Sequence, residues 1–114
     1  MYNPATNAVG LVTNATERLR IDSTGQVGIG TTTPGTLLDV SGAITSRPSG
    51  TLTGQTGRII MRELAAGGTE TATLRAPDAI TTSYALTLPT TAGSSGQVLR
   101  TDGTGILSWI DVIS

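Results

Sequence analysis

Eight carboxylates, seven arginines, three aromatic rings and many hydroxyls make up the reactive inventory of this 114-residue chain. His, Cys and Lys are absent. That excludes disulfides, thiolate nucleophiles, the ordinary zinc ligand sets, Ser–His–Asp triads, Schiff bases and the phosphate-binding lysine of a P-loop. Asp102-Gly103-Thr104-Gly105 suggests a cation loop, but one carboxylate cannot supply the oxygen set that calcium takes, and a hairpin turn is the reading. Gly28-Ile29-Gly30 suggests a dinucleotide loop. Position 33 is Thr where a third glycine would stand, Pro34 breaks the chain and no helix pattern follows, so a tight β-turn is expected. Asn14-Ala15-Thr16 spells a glycosylation sequon, read as accidental because no signal sequence precedes it. No spacing pairs any two of the acids for glycoside hydrolysis. The chain is therefore read as non-enzymatic, with no catalytic, cofactor-binding or metal-binding residue assigned.

The aromatic residues Tyr84 and Trp109 carry the remaining chemistry, since either ring would serve as a platform for a sugar. Trp109 sits in an apolar run with Leu107, Ile110 and Ile113, so an anchor in the core or between subunits is its preferred role. The arginines Arg18 and Arg20 alternate with Asp22 along one stretch and are read as cross-strand or intersubunit pairs. A net charge of −1 without a basic run argues against nucleic acid as a partner. No apolar stretch approaches the length of a membrane span, about 18 residues, so membrane insertion is not expected.

Positioning these residues falls to short strands. The chain has 22 Thr and 15 Gly but only 26 Leu, Ile and Val and no Phe, a composition that favours β structure and many turns. So few large side chains reward folding weakly, which points to burial between subunits. Residues 1–16 read as a turn-rich entry with one short apolar strand over 9–12. The clearest signal is a β-hairpin over 18–30, with Leu19, Ile21, Val27 and Ile29 on one face and Ser23-Thr24-Gly25 at the turn. A short strand over 37–40 closes an N-terminal module, 1–42. Residues 43–57, rich in Gly, Ser, Thr and Pro, form a connector to a C-terminal module, 58–114. There, 58–66 suits either a short helix or a strand, and the strand is preferred. Gly67-Gly68 is a turn into a strand over 70–75. Alternation over 83–88 puts Tyr84, Leu86 and Leu88 on one face, and residues 97–100 and 106–110 form a last hairpin about Asp102-Gly103-Thr104-Gly105. Thr24-Gly25-Gln26-Val27 is echoed weakly by Ser95-Gly96-Gln97-Val98. The end of the chain is apolar on both faces and calls for cover from a partner.

Two stretches carry a resemblance. Glu17-Arg18-Leu19-Arg20-Ile21-Asp22-Ser23-Thr24-Gly25-Gln26-Val27-Gly28-Ile29-Gly30-Thr31-Thr32-Thr33-Pro34, continuing to Leu38-Asp39-Val40-Ser41-Gly42, resembles a module of bacteriophage tail-fibre and related virion proteins. Leu74-Arg75-Ala76-Pro77, Leu86-Thr87-Leu88-Pro89, Gly96-Gln97-Val98-Leu99 and the run from Thr101 to Trp109 resemble a second module of such proteins. The resemblance implies an all-β chain whose short strands and hairpins build an elongated, intertwined homotrimer on the virion, as a tail fibre or at the capsid surface. Family members are often longer and many end in a self-cleaving chaperone domain, so at this length a short fibre, a fibre-shaft segment or a head-decorating spike is expected. The residues expected in the core or trimer interface are Leu19, Ile21, Val27, Ile29, Leu86, Leu88, Leu107, Trp109, Ile110 and Ile113. Expected partners are further copies of the chain and other virion proteins of tail, baseplate or capsid, with a capsid decoration protein as the second reading. A carbohydrate-binding receptor module is the third, in which Tyr84 or Trp109 stacks on a host surface glycan.

Overall fold

The computed structural model describes residue 3 and residues 6–113. Met1, Tyr2, Pro4, Ala5 and Ser114 lie outside the described residues, and with them most of the start of the expected N-terminal entry. The chain is all-β, with no helix among the described residues, so the 58–66 segment takes its strand option. Among the described residues there are three small sheets, in two units, 1–76 and 77–114.

The first sheet has four strands in sequential order: β1 (Val9–Thr13), β2 (Thr16–Ile21), β3 (Val27–Ile29) and β4 (Leu38–Val40). Asn14 and Ala15 join β1 to β2 with φ values of 49° and 57°, the signature of a type I′ turn. Between β1 and β2 the register slips, Leu11 opposing Leu19 but Val12 opposing Glu17, which leaves Arg18 as the extra residue of a β-bulge. The slip brings Glu17 within reach of Arg20, and the two form a bidentate pair of 2.6 and 3.0 Å. Those hydrogen bonds from Arg20 hold the Glu17 carboxyl below its ordinary pKa.

The turn from β2 to β3 hangs on one side chain. Asp22 Oδ1 accepts from the Thr24 N–H (2.8 Å), the Thr24 hydroxyl (2.7 Å) and the Gln26 N–H (3.0 Å). The Asp22 N–H meanwhile donates to the Gln26 carbonyl at 3.0 Å.

β3 and β4 pair in parallel, Val27 with Leu38 and Ile29 with Val40. Parallel neighbours normally need a crossover of about a dozen residues. Residues 30–37 suffice because the strands are so short and because the loop folds directly onto β3. A Cβ at Gly28 would stand 2.6 Å from the Thr31 carbonyl oxygen and 3.5 Å from Pro34 Cδ. Pro34 is buried there, and Asp39 Oδ2 receives the Gly35 N–H at 2.9 Å to close the loop from the other side.

The second sheet is a hairpin of β5 (Arg58–Arg62) and β6 (Thr71–Arg75). The 43–57 segment contains no strand but is tied to the hairpin base. The Ser46 hydroxyl donates to the Arg58 carbonyl and accepts its N–H, and the Thr56 hydroxyl donates to the Ala76 carbonyl. The third sheet, in the second unit, is a hairpin of β7 (Gln97–Thr101) and β8 (Leu107–Asp111). Its turn repeats the first one. Asp102 Oδ1 accepts from the Thr104 N–H (2.7 Å), the Thr104 hydroxyl (2.9 Å) and the Ile106 N–H (3.2 Å), while the Asp102 N–H donates to the Ile106 carbonyl (3.1 Å). The structural echo thus joins Asp22-Ser23-Thr24-Gly25-Gln26 to Asp102-Gly103-Thr104-Gly105-Ile106, nine residues further along the chain than the sequence echo about Gly96. The 83–88 alternation does not become a strand. Thr87 alone bridges to Ile106, and Pro89, two residues on, has no N–H with which to extend the ladder.

Gly28→Ala is expected to destabilise the fold by about 2 kcal/mol, since backbone must move to admit the methyl group. Ala15→Gly is expected to stabilise it by about 1 kcal/mol by relieving the left-handed backbone. Chemical denaturation reads both. A pH series tests the two Asp turns. Thr24 and Gln26 lower the Asp22 pKa, and Thr104 and Ile106 lower that of Asp102. Folded-state values below the unfolded ones mean that this stabilisation is complete above the ordinary Asp range, near pH 4, and is lost as the pH falls from there through the lowered folded-state values. The Asp22→Asn/Asp102→Asn variant keeps an acceptor oxygen but is expected to show a flatter acid limb.

Candidate functional site: an open aliphatic sheet face

Pairing in the four-stranded sheet lines up two rows of side chains across all four strands. One row is Val9, Ile21, Val27 and Leu38, and the other is Leu11, Leu19, Ile29 and Val40. Successive strand residues alternate between faces, so all eight aliphatic side chains share one face. The row between them, Gly10, Arg20, Gly28 and Asp39, belongs to the opposite face.

The protection is inverted relative to an ordinary half-buried sheet. The buried residues among those described are Ala8, Gly10, Gly28 and Pro34, none with a large side chain. Two of them lie on the glycine-bearing face, where the 31–36 loop covers Gly28. The aliphatic face has no such cover. Leu11 is 52 % exposed, Leu38 57 %, Ile21 40 % and Ile29 41 %, while Val9, Leu19, Val27 and Val40 are half-buried.

The chain's accessible surface, 9257 Å², gives this a scale. A compact monomer of 11.6 kDa exposes about 5,800 Å². Dividing the same mass between two separate units in proportion to their lengths raises that to about 7,000 Å². The excess over the larger figure is about 2,300 Å², against about 800 Å² contributed by each partner of a standard protein interface. The β5–β6 hairpin adds to this excess, with Ile59, Ile60, Met61 and Leu74 all exposed. An isolated two-stranded hairpin is marginal in water.

Leu19, Ile21, Val27 and Ile29 thus come together in one patch. Sequence reasoning missed four members. Val9 and Leu11 alternate around Gly10, a visible signal, whereas Leu38 and Val40 join only through the parallel pairing. The other expected residues lie in the second unit. Leu107 and Trp109 share one face of β8, Ile110 points to the other, and Ile113 lies beyond the strand, 97 % exposed. Leu86 and Leu88 flank the Thr87 bridge and are exposed.

Trp109 is gripped by its own unit. Its Nε1–H donates to the Thr91 carbonyl at 2.9 Å, and a Cβ at Gly93 would stand 2.7 Å from the indole Cδ2, so the glycine backbone lies against one ring face. Beside the indole is an open depression of about 410 Å³ that Leu88, Pro89, Thr91, Gln97 and Leu107 help to line. Tyr84 is exposed and does not line it. Among the described residues, no group of three or more His, Cys, Asp or Glu is placed to hold a metal ion. Comparison with family models, curated proteins and solved structures returns no match.

Removing the indole by Trp109→Ala is expected to destabilise the second unit by about 3–5 kcal/mol. Trp109→Phe, which loses mainly the hydrogen bond to Thr91, is expected to cost about 1 kcal/mol. Far-ultraviolet circular dichroism followed through denaturation would measure both, since each variant lacks the chain's single tryptophan.

Proposed function

We propose that this chain is a non-enzymatic structural component of a bacteriophage virion, a short trimeric fibre or a segment of a fibre shaft. The observation that carries the reading is the uncovered face of eight aliphatic side chains, of which a single chain leaves Leu11, Ile21, Ile29 and Leu38 exposed and the other four half-buried. Copies of the chain that cover one another's faces would remove that surface, and the core that each protomer lacks would form between protomers.

The resemblance of residues 17–42 and of the motifs between 74 and 109 to virion fibre modules supplies the setting. It also supplies the number three. Other virion proteins of tail, baseplate or capsid are the partners expected at the ends of such an assembly. A capsid decoration trimer would use the same face, and copy number separates the two roles.

Sedimentation equilibrium is expected to give three times the 11.6 kDa chain mass. Unfolding should coincide with dissociation and shift to higher temperature as protein concentration rises. Leu19→Asp, at the centre of the aliphatic face, should abolish the oligomer. A stable folded monomer of the unaltered chain would overturn the reading. In purified virions, quantitative mass spectrometry should find a small multiple of three copies. A number near that of the major capsid protein would make the chain a shell decoration, and its absence from virions would exclude both.

A further inference from the structure

The depression beside Trp109 is built entirely within the second unit, from residues between Thr87 and Trp109, and needs no other copy of the chain. Its lining is divided evenly between apolar and uncharged polar residues, and none of them is ionisable. Among the apolar ones, Pro89, Leu107 and Trp109 are half-buried. The hydroxyl-bearing Thr90, Thr91 and Ser108 are exposed.

Hydrogen bonds within the unit fix the groups that a ligand would meet. The indole N–H is engaged by the Thr91 carbonyl, and Gly93 covers one ring face without lining the depression. The depression therefore reaches the ring from its other side, where the indole offers π surface and no donor. Gln97 is held through both ends of its amide. Its Oε1 accepts the Ser94 N–H at 2.7 Å, and its Nε2 donates to Asp111 Oδ1 at 3.1 Å. That leaves one of its two N–H donors for a ligand.

We propose that this depression binds a neutral pyranose, which stacks its C–H face on the Trp109 indole and exchanges hydrogen bonds with Gln97, Thr90 and Ser108. The proposal goes beyond the structural role above and gives the chain a ligand of its own. The lining selects the class. A fitting ligand must combine an apolar face with uncharged hydrogen-bonding groups, and a sugar ring has both. A phosphate, uronate or other anion would find no counter-charge, so its removal from water would go uncompensated. A purely apolar group would cover the Gln97 amide and the hydroxyls without pairing them. The volume, about 410 Å³, falls in the range of small-molecule sites, about 300–1,000 Å³. Tyr84 does not line the depression and takes no part.

Trp109 is the chain's single tryptophan, so its emission reports on this site alone. The native full chain is titrated with the methyl glycosides of glucose, galactose, mannose and N-acetylglucosamine. At least one is expected to change the emission saturably, with a Kd in the millimolar range, and methyl glucuronide to change nothing. Thr90→Arg, at an exposed position, should fill the depression and abolish the response while the melting temperature holds. Ser108→Ala should weaken binding about fivefold, the loss of one neutral hydrogen bond. No saturable change with any neutral glycoside up to about 100 mM, a hundredfold above a millimolar Kd, would overturn the proposal. An equal response to glycerol, or one that survives Thr90→Arg, would do the same, and a stronger response to the glucuronide would overturn the neutral class. Acrylamide tests the other occupant. Quenching of Trp109 only after the oligomer dissociates would mean that a neighbouring copy fills the depression, and the sugar site falls.

Discussion

The Thr31 carbonyl lies where a side chain on residue 28 would begin, and the N-terminal sheet is organised around that contact. Only a residue without a Cβ lets the 31–36 loop lie flat on β3, with Pro34 buried against it. Because the loop lies flat, residues 30–37 are enough to return the chain parallel to β3. The return delivers Leu38 and Val40 to the ends of the two aliphatic rows. Gly10 lies in the same cross-strand row as Gly28, with Arg20 between them, so the face that bears the loop carries little side-chain bulk. Cover for one face is thereby obtained with backbone and proline, and the large aliphatic groups are all left on the other.

This division separates two kinds of interaction by range. Hydrogen bonds are directional and costly to leave unmade, and the chain makes them internally. Strand ladders, the two Asp turns, the Glu17–Arg20 pair and the Ser46 and Thr56 bridges meet that need, and among the described residues no buried side-chain nitrogen or oxygen lacks a partner. Apolar burial is non-directional and can be supplied by another molecule. A β protein with few large side chains can therefore fix its local geometry within one chain and leave most of its apolar burial to association, as the proposed assembly requires.

Much of the candidate site was legible in the residues. Leu19, Ile21, Val27 and Ile29 alternate with charged or glycine neighbours, and a period of two assigns them to one face without further information. Val9 and Leu11 follow the same rule. The rest was hidden because it depends on register. Nothing local announces the slip that makes Arg18 the extra residue and brings Glu17 to Arg20. The alternation of 83–88 was a true strand pattern without a strand, since a ladder needs successive partners and donors, and Thr87 makes only one bridge, to Ile106, before Pro89. The two Asp turns were seen as turns, but their identity lay in the carboxylate positions and not in the Gly-Gln-Val echo.

By itself the sequence determined the all-β class, the positions of the hairpins and the sparse aliphatic content that leaves a single chain without a large core. These follow from propensity, period and turn chemistry, all of which act over a few residues. Tertiary structure alone decided the parallel return of β4, the bulge that joins Glu17 to Arg20, and which face of the sheet is covered. Those depend on how backbone segments meet in space, the 31–36 loop on Gly28 above all. Whether a loop can lie on a strand is a question of space in three dimensions, and the order of residues does not state it.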